Sequence, residues 1–250
     1  MLFALWGGQV YRPTRDLDFT GYVSNDIANV TGLFQDICAL PVVDDGLLFD
    51  PTTVTAEPIR EDEEYNGLRI RLQATLGKSC ILMQIDVGFG NAIQPPPQEV
   101  QYPTLLDSPA PRVRAYPLEA VVAEKLHTIV RFGERNSRLK DFYDLYVISK
   151  QFPFDGNSLA GAISATFERR RTPIDAVPPA ALAPRFFADV ARATQWRAYL
   201  ERNRLPGAPA DFTAVGEQTR AFLRPPWIAM AEKSEFTLNW NPGGPWEAAS

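Results

Sequence analysis

The sequence predicts an α/β (α+β) domain with a mixed sheet, followed by an all-α C-terminal domain. Two patterns support this fold class. Residues 68–89 place alternating or continuous apolar runs on either side of a Gly-Lys turn, which is typical of a β-hairpin. After Pro117, apolar residues recur at the spacing of amphipathic helices. These helices are expected at residues 117–133, 138–150, 157–171, 179–203 and 211–223.

A proline-rich stretch separates the two patterns. Residues 91–115 predict an ordered connector, so we place one domain at residues 1–110 and a helical domain at residues 111–235. Residues 236–250 are rich in Gly, Pro and Trp, and we expect them to form a flexible tail.

Local signals predict the elements of the first domain. Ser24 is a suitable N-cap for a helix, and the segment Gly46–Ile59 is expected to be extended. Gly77 and Lys78 supply a two-residue turn with glycine first, which is the type II′ pattern. The return strand Cys80–Phe89 is apolar almost throughout, which predicts a central position in the sheet.

The composition argues against several classes of protein. About 45% of the 250 residues are apolar, enough for a sizeable core, yet no apolar run approaches the roughly 20 residues of a membrane span. His127 is the only histidine, and Cys38 and Cys80 lack metal-like spacing, which argues against a zinc site. Both cysteines lie in apolar runs, so we expect buried free thiols in a cytoplasmic protein.

Charge is divided unevenly along the chain. Residues 1–110 contain 6 Lys and Arg against 15 Asp and Glu, whereas residues 111–250 contain 19 against 15. An acidic half beside a basic half suits an enzyme that binds a metal and a polyanion. A mixed, solvated helical surface is the alternative.

Asp16 and Asp18 lie two residues apart in a run that is expected to form a short strand. Strand side chains alternate between faces, so both carboxylates should point the same way and repel unless a cation lies between them. Magnesium takes oxygen ligands and keeps positions open for phosphate oxygens. Phosphoryl or nucleotidyl transfer is therefore the first hypothesis, and an exposed edge strand with two solvated aspartates is the alternative.

Asp86 is the one charged residue of the apolar return strand. A buried, unpaired aspartate is costly, so it needs a metal, a cation or several donors. With Asp16 and Asp18 it would complete a three-carboxylate metal site on neighbouring strands. Alternatively, it caps the turn at Gly88–Gly90.

Lys125 falls near the centre of the apolar stripe on the helix that follows Pro117, at about 100° per residue. A lysine that faces the protein must reach solvent or meet an anion. A phosphate or a site carboxylate would satisfy it, and we favour a phosphate over a purely structural ion pair. His127 lies about 160° around the helix from Lys125. We expect it to be exposed and without a role.

The next helix begins within a cluster of charged residues. Four basic residues precede or open it: Arg131, Arg135, Arg138 and Lys140. Asp141 and Asp144 lie three residues apart and share one face of the helix. Because a helix N-terminus also favours phosphate, we favour a site role over simple capping or a salt-bridge network.

Taken in order, these motifs resemble the AbiEii/AbiGii toxin family, whose members have a nucleotidyltransferase fold. The matching segments are Arg12-x-Thr14-x-Asp16-Leu17-Asp18, Ile85-Asp86-Val87, Ala123-Glu124-Lys125-Leu126 and Arg135-x-x-Arg138-x-Lys140-Asp141-x-x-Asp144. Each motif is weak alone, but the ordered set over residues 12–144 is specific. The resemblance implies a nucleotidyltransferase-like first domain and a toxin of a bacterial toxin–antitoxin or phage-defence system, with an antitoxin as partner.

The resemblance also implies roles for single residues. Related toxins transfer a nucleotide from an NTP to the 3′ end of tRNA. Asp16 and Asp18 would bind Mg²⁺ with the help of Asp86, Lys125 would hold the NTP phosphates, and Asp141 would be an essential acid. The other binding residues would be Thr14, Arg131, Arg138, Lys140 and Asp144.

Two other functions remain open at this point. The acceptor could be a protein that is nucleotidylated or phosphorylated, or the chain could be an inactive member that only binds its antitoxin. The family's glycine pair normally lies further from the first aspartate than Gly7-Gly8 lies from Asp16. We therefore expect the chain to be truncated at its N-terminus.

Overall fold

The computed structural model describes Leu5 and residues 17–59, 67–104, 109–205 and 207–248, which fall into two compact units. Residues 17–91 form the first unit and residues 92–248 the second. The division falls between Asn91 and Ala92, at the start of the proline-rich stretch rather than at residue 110.

The first unit is built on a mixed sheet. Its elements are β1 (Leu17–Gly21), α1 (Ile27–Cys38), β2 (Leu47–Pro58), β3 (Gly67–Leu76) and β4 (Ser79–Phe89). The strand order is β1-β4-β3-β2, with β1 parallel to β4 and the other pairs antiparallel. The predicted mixed sheet is confirmed, and so is the central position of β4. Gly77 has a φ of 58°, as the predicted type II′ turn requires at its first residue.

One face of this sheet is apolar and packs against α1. Ile70 and Leu72 of β3 and Ile85 and Val87 of β4 are buried in one cluster with Val30 of α1. This alternation places the intervening polar residues of β3 and β4 on the opposite face, where the candidate site begins.

Two local expectations for the first unit are wrong. The N-cap of α1 is Asp26, whose carboxylate accepts a hydrogen bond from Asn29 N at 2.9 Å, and not Ser24. Aspartate and serine are equally good N-caps, so the side-chain type does not distinguish Asp26 from Ser24. Asp26 is the cap because it directly precedes the first helical residue, Ile27. Cys80 is exposed because the first four residues of β4 lie outside the core, and Cys38, the last residue of α1, is half-buried.

The second unit is mainly helical. Its helices are α2 (Leu118–Phe132), α3 (Leu139–Gln151), α4 (Gly156–Arg169), α5 (Pro184–Phe187), α6 (Val190–Asn203) and α7 (Phe212–Ala231). The first three were predicted to within two residues. The helix predicted at 179–203 is divided, because Pro184 begins α5 and Asp189 caps α6. No helix in the described ranges is long and apolar enough to cross a membrane.

The expectation of an all-α second domain is wrong. Strand β5 (Gln98–Gln101) pairs with β6 (Arg112–Ala115), and a three-stranded sheet combines β7 (Phe154–Asp155), β8 (Leu238–Trp240) and β9 (Trp246–Ala248). Strands of two to four residues are too short for an alternating pattern to be recognised in the sequence.

The segment that we expected to be a flexible tail packs on the helices as far as it is described. Trp240 is 1% exposed, and its Nε1 donates to Ser149 O at 2.7 Å. Trp246 stacks on Phe222 with ring centroids 5.9 Å apart, and its Nε1 donates to Phe222 O at 2.9 Å. Gly and Pro suggest a flexible segment, but burial of the two tryptophan side chains stabilises its packing on the helices.

Candidate functional site

The polar face of the first sheet carries a row of charged side chains that crosses four strands. Asp18 of β1 lies beside Asp86 of β4, Asp86 lies opposite Arg69 of β3, and Arg69 lies opposite Glu57 of β2. Paired positions on neighbouring strands, about 4.8 Å apart, point their side chains to the same face. The sheet therefore brings two of the predicted carboxylates, Asp18 and Asp86, together.

Asp86 is held by an arginine that our prediction did not include. Arg69 Nε donates to Asp86 Oδ1 at 2.8 Å and Arg69 Nη2 donates to Oδ2 at 2.7 Å, which is a bidentate pair. The two side chains are 24% and 15% exposed, respectively. The alternation of Arg69 and Arg71 with apolar residues in β3 was the available signal, because it placed both on the polar face beside Asp86.

In the second unit, the inward orientation predicted for Lys125 is present. Its side chain on α2 is 16% exposed. Lys125 Nζ donates to Asp144 Oδ2 at 2.6 Å and to Asp141 Oδ1 at 3.1 Å. Lys125 therefore contacts two carboxylates of α3. The side chain of Asp141 is 5% exposed and that of Asp144 is 1% exposed.

Arg138 completes this group, which we call the Lys125 cluster (Lys125, Arg138, Asp141 and Asp144). Arg138 Nε donates to Asp141 Oδ2 at 3.0 Å. Burial by itself would raise the pKa of Asp141, but Lys125 and Arg138 outweigh burial and hold the pKa below its usual value. Asp141 is therefore ionised at neutral pH, and the formal charges of the cluster balance.

Comparison with protein families shows to which family this chain belongs. The family model described as "Nucleotidyl transferase AbiEii toxin, Type IV TA system" matches residues 1–218 of the 250. This chain belongs to the AbiEii family. The resemblance inferred from the ordered motifs is thus confirmed, and the chain is an AbiEii nucleotidyl transferase toxin of a type IV toxin–antitoxin system. The family implies an NTP substrate and an antitoxin counterpart.

Two solved structures are similar to this AbiEii chain, and both come from Helicobacter pylori. One is described as a nucleotidyltransferase, with 14% identity, a TM-score of 0.47, and coverage of 93% of this chain and 86% of the other. The second is JHP933, with 15% identity, a TM-score of 0.48, and coverage of 93% and 82%. No curated protein matches the chain. Family membership rests on the family model, because likeness at these TM-scores is too weak to carry an argument.

The AbiEii chain offers oxygen donors for a magnesium ion in the charged row. Asp18 and Asp86 provide carboxylates, the ligands that Mg²⁺ prefers, and Asp86 keeps lone pairs beyond the two that accept from Arg69. Within the described ranges, no group of three or more His, Cys, Asp or Glu side chains could hold a metal. The predicted residues Thr14 and Asp16 lie outside those ranges. Asp18 and Asp86 therefore fit a magnesium ion only if a further ligand joins them, and Asp16 is the candidate.

Two further predicted binding residues of this AbiEii chain are exposed. Arg131 lies in the last turn of α2 and Lys140 in the first turn of α3. Lys140 directly precedes Asp141 in the chain, and Arg131 follows Lys125 by six residues on α2. Their roles stay predictions.

His127 is buried, and our expectation of an exposed histidine is wrong. It is 5% exposed, its ring meets Phe167 edge-on at 5.2 Å, and its Nε2 lies 2.9 Å from Thr172 Oγ1. Because Thr172 Oγ1 donates its proton to Arg170 O, Nε2 is the donor to that hydroxyl. Helix α4 and the residues after it cover this side of α2, which the pattern of α2 alone does not reveal.

The buried His127 predicts a loss of stability in acid. Burial, with Arg170 and Arg131 nearby, lowers the pKa of His127 to about 4. As pH falls from about 6.5 to 4, the unfolded chain takes up a proton that the folded chain resists. The free energy of unfolding should therefore fall by about 1–3 kcal/mol relative to its value at pH 7.

Urea unfolding of the wild type and of His127→Gln at pH 7 and pH 4.5 measures this effect. Carboxylates titrate in both proteins and cancel in the difference. The stability advantage of the wild type should shrink in acid, and a difference that is independent of pH would contradict the assignment.

Proposed function

We propose that this AbiEii protein transfers a nucleoside monophosphate from an NTP to an RNA acceptor, the 3′ end of tRNA, in a Mg²⁺-dependent reaction. The observation that carries the proposal is the Lys125 cluster. Lys125 Nζ is held at 2.6 Å and 3.1 Å from two buried carboxylates, so its charge is fixed in place before a substrate arrives. Preorganised charge of this kind stabilises the charge that develops on transferred phosphates.

The chemistry is an in-line displacement at the α-phosphorus. A 3′-hydroxyl oxygen of the RNA bonds to the α-phosphorus, the bond from that phosphorus to the bridging oxygen breaks, and pyrophosphate leaves with the electron pair. The hydroxyl proton passes to solvent. Lys125 and Arg138 would neutralise the phosphates, with Thr14, Arg131 and Lys140 as further binding residues.

Asp141 acts as a charge partner in this proposal and not as a proton acceptor. Its pKa is lowered, because Lys125 and Arg138 outweigh the effect of burial, so its carboxylate is a weak base at neutral pH. It would orient Lys125 and Arg138 toward the phosphates, and Asp144 would share that task. Bound Mg²⁺ would polarise the α-phosphate and the attacking hydroxyl, and Asp16, Asp18 and Asp86 are the residues that would hold it.

An RNA acceptor is favoured by the distribution of charge. Residues 111–250 carry 19 Lys and Arg against 15 Asp and Glu, in contrast to the acidic first part of the chain. Arg131 and Lys140 are exposed near the ends of the helices that build the Lys125 cluster. Basic side chains beside a reaction site attract the phosphates of RNA without reading its sequence.

Incubation with total tRNA and each α-labelled NTP tests the proposal. We expect label on tRNA, release of pyrophosphate and loss of both with EDTA. Periodate-oxidised tRNA, which lacks the 3′-terminal diol, is the matched control and should remain unlabelled. Label on protein instead of RNA would favour a protein acceptor, and no transfer with any NTP and either acceptor would contradict the proposed reaction.

A further inference from the structure

Arg192 reaches from α6 to the backbone of the segment that precedes α3. Its Nη1 donates to Asn136 O at 3.0 Å, and its Nη2 donates to Glu134 O. The guanidinium lies 3.9 Å from the centroid of the Phe186 ring, and the backbone N of Arg192 donates to the N-cap Asp189 at 2.9 Å. The planar guanidinium group of Arg192 packs against an aromatic ring and donates to two backbone carbonyls of the segment 133–138.

This segment leads directly to the Lys125 cluster. Asn136 is 1% exposed, and its Oδ1 accepts a hydrogen bond from Arg138 N at 2.7 Å. Arg138 Nε in turn donates to Asp141 Oδ2 at 3.0 Å, and Asp141 Oδ1 accepts from Lys125 at 3.1 Å. The chain of contacts runs from Arg192 through Asn136, Arg138 and Asp141 to Lys125.

The start of α3 has no side-chain cap of the usual kind. Arg138 occupies the N-cap position with φ −81° and ψ 68° and makes no side-chain cap bond. Gly133, which begins the segment, has a φ of 51° that side-chain-bearing residues rarely adopt. The backbone N of Arg138 donates instead to Asn136 Oδ1, and Arg192 holds the carbonyl of that same Asn136.

We infer that Arg192 is a positioning residue, which fixes the segment 133–138 and through it the Lys125 cluster. It lies outside the sequence motifs that resemble the family. Its effect on the reaction rests on the proposed function, whereas its effect on the order of residues 136–141 does not. A misplacement of about 1 Å at a reacting group can lower a rate by about 100-fold.

Arg185 provides a matched control in the same region. Its Nη2 donates to the Glu134 carboxylate at 2.7 Å, but both side chains are exposed, at 75% and 60%. Arg185→Met thus removes an arginine that contacts the same segment through a side chain and not through its backbone. Exposed ion pairs of this kind contribute little.

The first experiment is hydrogen exchange on the full chain of the wild type, Arg192→Met, Arg192→Lys and Arg185→Met. Amides of residues 136–141 should exchange at least about tenfold faster in Arg192→Met, with α2 and α7 unchanged, since local opening is a local equilibrium. Arg185→Met should match the wild type. Unchanged exchange at 136–141 in Arg192→Met would overturn the inference.

The second experiment measures binding of radiolabelled NTP by equilibrium dialysis, and steady-state KM and kcat. Arg192→Met should raise the Kd and KM for NTP about tenfold in the folded fraction, because displaced phosphate-binding groups lose contacts. Lysine keeps the charge and should restore part of the affinity. A purely structural role would lower only the amount of folded, active protein, and such a result would overturn the inference.

The two proposals fail in different ways. If the wild type binds no NTP, the proposed function fails, yet the exchange of residues 136–141 still decides whether Arg192 positions them. If Arg192→Met does not fold, Arg192→Lys, which retains the charge and the stem, carries both measurements.

Discussion

Asp18→Asn should lower nucleotide transfer at least about 100-fold while changing the free energy of unfolding by no more than about 0.5 kcal/mol. Asp18 is exposed at the end of the charged row, so its charge contributes little to the core. In the proposed reaction it would bind Mg²⁺ together with Asp86, its pairing position on β4. Loss of the charge with retention of shape should therefore remove metal affinity and leave the fold intact.

Asp36→Asn is the control for this experiment. It makes the same chemical change at an exposed position on α1, which packs on the apolar side of the sheet. Transfer of label and binding of Mn²⁺ as a spectroscopic probe should be unaffected in Asp36→Asn and strongly reduced in Asp18→Asn. Full transfer by a folded Asp18→Asn protein would remove Asp18 from the site.

Lys125→Met should destabilise the protein by about 3–5 kcal/mol and also abolish transfer. Asp141 and Asp144 are 5% and 1% exposed, and both lose the ammonium group that balances them. Arg138 still contacts Asp141 after this substitution. Urea unfolding at neutral pH measures the change, and Lys150→Met, an exposed lysine at the end of α3, should cost less than about 1 kcal/mol.

A double variant separates stability from chemistry. Lys125→Met combined with Asp144→Asn removes the buried charge together with its partner, and much of the lost stability should return. Transfer should stay absent, because the phosphate contact is still missing. If stability and transfer returned together, Lys125 would be only a structural residue. If Lys125→Met alone changed stability by less than about 1 kcal/mol, the cluster would not exist in solution.

Some parts of the site followed from local sequence patterns. Lys125 was predicted to face inward because the period of a helix fixes which residues share a stripe, and that period needs no knowledge of the neighbours. The same local argument predicted the hairpin around Gly77 and the common face of Asp141 and Asp144. Such predictions succeed because the backbone geometry that they use repeats within a few residues.

Other parts depended on residues that are distant in the chain. Arg69 and Asp86 are separated by 17 positions, and only the register of β3 against β4 makes them a bidentate pair. His127 is buried because α4 covers α2. The supposed tail is held in part by the contact of Trp240 with Ser149, 91 positions away. None of these contacts changes the local spacing of apolar and polar residues. A prediction from that spacing therefore does not detect them.

The sequence by itself determined that Lys125 faces inward from its helix, that Asp141 and Asp144 share one helix face, and the order of motifs that marks the AbiEii family. Only the tertiary structure decided which partner each inward charge meets: Arg69 for Asp86, two aspartates for Lys125, and backbone carbonyls for Arg192. The physical reason is that periodicity sets the direction of a side chain, whereas a charge pair needs two atoms within about 3 Å. That distance depends on how separate elements pack and on their register.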